Sequence, residues 1–70
     1  MRDLIINNAI KQYGGGDISY AVAALQIAKK EKLVTKDMSP KKIMGILEKN
    51  DLAPFYGDHL INEALIKRIL

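Results

Sequence analysis

Ile18-Ser19-Tyr20-Ala21-Val22-Ala23-Ala24-Leu25-Gln26-Ile27-Ala28-Lys29-Lys30-Glu31-Lys32 decides the fold. From Tyr20 to Ala28 this stretch is apolar nearly all round, and it is rich in small residues. A helix with no polar face belongs in the interior, and alanines let neighbouring helices come close. The reading is a central buried helix over about 18–32, ending in lysines that suit the negative pole of its dipole. Upstream, Gly14-Gly15-Gly16 supplies residues that accept left-handed backbone, and Asp17 stands where a helix N-cap belongs. The glycines therefore read as a hinge. Before them, Ile5, Ile6, Ala9, Ile10 and Tyr13 recur at helical spacing and define an amphipathic helix over about 3–13.

Downstream, residues 33–38 show no clear periodicity, and Leu33-Val34-Thr35 suits at most a very short extended piece. Ser39-Pro40 is an N-cap followed by a good first helical residue, so the next helix runs over about 40–50. Ile43, Met44, Ile46 and Leu47 form its apolar face, opposite Lys41, Lys42, Gly45, Glu48 and Lys49. Leu52-Ala53-Pro54-Phe55-Tyr56-Gly57 is rich in turn formers, and its two aromatics are expected to plug one end of the core. Asp58 is the expected cap of a last helix over about 59–69. There Leu60, Ile61, Ala64, Leu65 and Ile69 make a stripe, leaving Ile66 and Leu70 off its centre.

The fold class that follows is all-α: one small four-helix domain spanning residues 1–70, with a helix-turn-helix-like middle. Seventy residues without cysteine lie near the lower limit for a domain that folds alone. A hydrophobic content of 49% argues against disorder, and with only Tyr13, Tyr20, Phe55 and Tyr56 aromatic the core should be aliphatic. The absence of cysteine removes disulfides, thiolate metal sites and thiol nucleophiles, and fits a reducing, cytoplasmic setting. Met1-Arg2-Asp3 followed by Leu4-Ile5-Ile6 turns polar too soon for a signal peptide, and no run approaches a membrane span.

Charge is unevenly placed. Residues 29–42 hold six lysines against Glu31 and Asp37, a net +4, whereas the whole chain carries only +3. Lys41 and Lys42 fall in the first turn of their helix, where the dipole disfavours cations by roughly 0.3–1 kcal/mol each. An anionic partner reverses that cost. Lys29, Lys30, Lys36, Lys41, Lys42, Gly45 and Lys49 are therefore the candidate nucleic-acid-binding residues, with lysines on phosphates and Gly45 allowing a close approach. The same region lacks arginine, carries Glu48, and has a connector longer than the usual helix-turn-helix turn of about three to four residues. Ser39-Pro40-Lys41-Lys42 resembles the short basic element of tails that lie in the DNA minor groove, but capping accounts for it better here.

Other motifs point to no chemistry. Gly14-Gly15-Gly16-Asp17 has neither the preceding strand nor the Gly-Lys-Ser/Thr ending of a phosphate loop, and Asp17 repels an anion. One histidine, His59, and singly scattered carboxylates provide no general acid–base pair, so catalysis is not expected. Metal-ligand spacing is absent, and neither metal nor cofactor is expected.

Two readings of function remain. The first is a non-catalytic regulator that lays the Lys29–Lys49 surface on the phosphate backbone of duplex DNA, the kind of small protein that bacteria or phages encode. The second is an adaptor or inhibitor that grips an acidic or apolar protein surface with its last helix and basic patch, without nucleic acid. Leu60, Ile66, Ile69 and Leu70 are the candidate interface residues in that helix. A homodimer through it is the expected way to cover Ile66 and Leu70.

Overall fold

The alanine-rich run becomes the helix on which the rest of the molecule is assembled. In the computed structural model, which describes residues 2–53 and 58–70, four α-helices follow one another: α1 (Arg2–Tyr13), α2 (Asp17–Lys30), α3 (Pro40–Lys49) and α4 (Glu63–Ile69). A 3-10 turn, Asp58–Leu60, precedes α4, and there is no strand among the described residues. The all-α expectation is met. Phe55 and Tyr56, expected to plug the core, lie outside the described residues.

Every residue of α2 from Ala21 to Ala28 except Gln26 is buried, and Val22 and Leu25 are completely so. Removing such a side chain from water stabilises the fold by about 1.5–3 kcal/mol. The most extensive helix–helix packing is that of α1 along α2, and Ala9 is the residue α1 buries fully. Small side chains on both helices fit that close approach. From α3, Ile43 and Leu47 are wholly buried, while Met44 and Ile46 flank them half-buried.

The helix ends show where local chemistry departs from expectation. Gly14 and Gly15 turn the chain after α1 at φ +88° and +77°, as a glycine hinge requires. Asp17 does not cap α2: Gly16 is the N-cap and no side chain bonds there. Instead the buried Ser19 reaches back, its Oγ accepting from the Gly15 N–H at 3.0 Å, and Asp17 sits in the first turn, where its charge suits the dipole. α2 stops at Lys30, two residues before the expected end, because the chain turns left-handed at Lys32, φ +60°. Leu33 N–H then bonds Ala28 C=O at 2.9 Å and Lys32 N–H bonds Lys29 C=O at 3.0 Å, a Schellman closure. α3 ends the same way around Asp51, φ +56°, with Leu52 N–H on Leu47 C=O at 2.8 Å and Leu52 tucked into the core.

The last helix starts later than Asp58 implies. Among the described residues Asp58 Oδ1 accepts from the adjacent His59 N–H, whereas Asn62 Oδ1 accepts from Leu65 N–H at 2.9 Å and begins α4. This shift changes the buried face. Ile61 is buried ahead of the helix, Leu65 and Ile66 are buried within it, and Ala64 is exposed. Ile66, expected outside the monomer's stripe as an interface residue, is 2% exposed and belongs to the core. Leu60, Ile69 and Leu70 pack partly buried against the same cluster. The excess apolar surface that suggested a homodimer is to that extent used within one chain.

Arg2 ties three helix ends together. Its Nε and Nη2 donate to the two carboxylate oxygens of Glu31, each at 2.9 Å, and its Nη1 donates to the Asn50 carbonyl at 3.4 Å. Glu31 and Asn50 are the C-caps of α2 and α3, so the clasp brings those two ends to the start of α1. The hydrogen bonds from Arg2 hold the Glu31 carboxyl below its ordinary value of 4.5. A carboxyl with a depressed folded-state value stabilises the fold above its unfolded value, and that contribution disappears as pH falls through the folded one. Glu31→Gln is therefore expected to lower the urea midpoint at pH 7, with the difference from the unsubstituted protein shrinking at pH 3. A difference that stays constant across that range contradicts the clasp.

Candidate nucleic-acid interface

The face that α3 turns to solvent is set by its apolar spacing. Burying Ile43 and Leu47, one turn apart, leaves Lys41, Lys42, Gly45, Glu48 and Lys49 exposed on the other side. Lys41, Gly45 and Lys49 are spaced four apart and form a single row, roughly 12 Å long at 1.5 Å per residue. Ser39 fixes the start of this row, its Oγ accepting from Lys42 N–H at 3.2 Å, and Pro40 fills the first helical position. No acidic residue stands in the first turn to offset Lys41 and Lys42. Among the described residues the ion pairs join Arg2 to Glu31 and His59 to Asp58, so Lys36, Lys41, Lys42 and Lys49 stand without one.

The lysines predicted to form one surface separate into two groups joined by α3. Because Arg2 grips the C-caps of both α2 and α3, Lys49 lies at the molecular end that carries the last turn of α2, with Lys29 and Lys30. Lys41 and Lys42 lie at the opposite end of α3. There Lys36 and Lys67 line a cleft of about 340 Å³ beside Ser39 and Pro40, together with Asp37 and Glu63. Lys29 and Lys30 also line a separate groove with Ile5, Gln26 and Ile69. The connector between α2 and α3, residues 31–39, is longer than the three- to four-residue turn of the usual motif.

Lys67 and Arg2 escape a reading of the sequence, and Lys32, counted there among the six lysines of residues 29–42, takes a backbone the sequence does not announce. Lys67 reaches the cleft from α4, which no spacing argument joins to Lys36. Lys32 holds the left-handed C′ position of α2, where glycine costs least, and so keeps a cation at a site whose backbone favours another residue. Its signal is the absence of glycine after a helix that ends in lysines. Arg2 acts on the patch indirectly: by pairing with Glu31 it neutralises one of the two acids in the 29–42 segment.

Gly45 has ordinary helical backbone, and a Cβ placed there meets no atom within 4 Å. Nothing inside the fold requires glycine. Gly45→Ala is accordingly expected to stabilise the isolated protein by about 0.8–1 kcal/mol through helix propensity. Duplex affinity should fall at the same time if a phosphate backbone approaches this point. A higher melting temperature with unchanged affinity removes Gly45 from the interface.

Among the described residues no three His, Cys, Asp or Glu side chains gather as metal ligands, and no helix is long and apolar enough to cross a membrane. His59 is exposed, with its Nδ1 3.8 Å from Oδ1 of the exposed Asp58. Comparison with protein-family models, with curated proteins and with solved structures finds no match, so this surface is interpreted from its own chemistry.

Proposed function

We propose that this chain is a small non-catalytic nucleic-acid-binding protein that docks the exposed face of α3 on the phosphate backbone of a duplex. The observation that carries this reading is the row Lys41–Gly45–Lys49 with Lys42 beside it, exposed, without ion pairs among the described residues, and with two lysines at the dipole's positive end. Those lysines weaken the free helix, and phosphate oxygens reverse the penalty. Lys36 and Lys67 offer two further cations beyond the N-terminus of α3, in a cleft they share with Asp37 and Glu63. Lys32, with Lys29 and Lys30 at the end of α2, extends it beyond Lys49.

The residue types also define the kind of binding. Phosphate contacts position a protein on nucleic acid, whereas base reading relies on Arg, Asn or Gln at the groove edge. The exposed face of α3 has none of these, and Glu48 sits within it. Binding is therefore sequence-tolerant. With three to five phosphates engaged, the log–log salt slope for a random duplex is expected at about −3 to −4.5, so affinity drops roughly a hundredfold between 50 and 200 mM salt. Fluorescence anisotropy of a labelled duplex at these two salt concentrations tests the reading. No binding at the lower salt overturns it.

A further inference from the structure

Along the exposed face of α3 the cations stand at its two ends. Lys41 and Lys42 lie in the first turn and Lys49 in the last, about 12 Å from Lys41 along the axis at 1.5 Å per residue, and the exposed residues between them are Gly45 and Glu48. Each end is extended by a cation from the connector. Lys36 lines the cleft beside Ser39 and Pro40, and the exposed Lys32 follows Glu31, which the Arg2 clasp brings to the C-cap of α3. A Cβ built on Gly45 meets no atom within 4 Å, so at its middle the row has neither charge nor bulk.

Given the reading of α3 as a phosphate-binding face, on which this assignment depends, we infer that the helix lies across the major groove of B-form DNA, with Lys41 and Lys42 on the phosphates of one strand and Lys49 and Lys32 on those of the other. The major groove of B-form DNA is about 12 Å wide, the spacing of the two cationic ends, whereas its minor groove is only about 6 Å wide. A helix laid along a single strand meets a charge every ~3.4 Å of duplex axis, and Gly45 and Glu48 then face phosphates with no cation to offer. Crossing the groove places those two residues over its opening, away from either backbone. An A-form RNA duplex fits less well. Its major groove is deep and narrow, and its wide minor groove is recognised largely through 2′-hydroxyls, for which the exposed face of α3 carries no hydroxyl or amide side chain. Single strands call for aromatic platforms on which bases stack, and this face has none.

The test is fluorescence anisotropy of the full chain with duplexes of one sequence and length at the same low salt: unmodified DNA, DNA whose cytosines carry a glucosylated hydroxymethyl group at C5, DNA whose guanines are alkylated at N2, and RNA. The glucosyl group is uncharged and fills the major groove, and the N2 alkyl group fills the minor one. The glucosylated DNA and the RNA are each expected to bind at least tenfold more weakly than unmodified DNA, and the N2-alkylated DNA to bind within twofold of it. Glucosylated DNA or RNA that binds as tightly as unmodified DNA, or a larger loss with N2-alkylated than with glucosylated DNA, overturns the groove assignment and leaves α3 a phosphate-binding face. Failure of unmodified DNA to bind overturns both.

Discussion

Ile66→Lys unfolds the protein. Ile66 is 2% exposed, among the largest fully buried side chains, and belongs to the cluster that α2 and α4 share with Ile43 and Leu47. Even Ile66→Ala removes its burial and leaves a cavity, a change that costs about 2–5 kcal/mol. A domain of this size rarely holds more than about 3–5 kcal/mol in reserve. An ammonium in the same place adds the cost of burying a charge without a partner. Thermal melts followed by far-UV circular dichroism are expected to show little cooperative transition for Ile66→Lys and a strongly lowered midpoint for Ile66→Ala. Ile69→Ala, at a half-buried position, should cost less. A folded Ile66→Lys protein of unchanged midpoint contradicts the position of α4, and returns Ile66 to the outer surface on which a dimer contact was expected.

The second large effect concerns binding. Replacing Lys41, Lys42 and Lys49 together by Gln removes three charges from the row along α3, all at exposed positions. Taking one lysine off a phosphate should reduce the salt slope by about one, so the triple variant is expected to show a slope smaller by roughly three and almost no duplex affinity at 200 mM salt. All duplex sequences should be affected alike, because no base-reading side chain has been changed. Stability is not expected to fall, since Gln relieves Lys41 and Lys42 at the positive end of the dipole. An unchanged slope for the triple variant places the phosphate-binding groups elsewhere.

How much of this is legible in the sequence depends on whether the deciding interaction is local. The alanine-rich run marks α2 as the buried element, and Ser39-Pro40 with Ile43 and Leu47 four residues apart marks both the start and the facing of α3. Those signals act within one turn of helix. The last helix is misplaced by periodicity because two acceptable caps, Asp58 and Asn62, precede it, and the choice depends on whether Ile61 is buried as the first helical turn or ahead of it. That choice moves Ile66 inward and Ala64 outward. The end of α2 is misplaced because Lys32 adopts a backbone that its side chain does not advertise, held there by two Schellman hydrogen bonds. The Arg2 clasp joins residues 29 and 48 positions apart, and periodicity contains no trace of it. The candidate site follows the same division: the exposed face of α3 and the lysine-rich segment before it are readable, whereas the approach of Lys67 to Lys36 requires the tertiary structure.

The central claim is that α3 presents a phosphate-binding face. Its most direct test is an amide NMR titration of the isotopically labelled protein with a short random duplex at low salt. The expected footprint covers Lys41, Lys42, Gly45 and Lys49, extends to Lys36 and Lys67, and fades as salt is raised. A footprint that leaves Lys41 to Lys49 unmoved, or spectra that do not change on adding the duplex, contradicts the account.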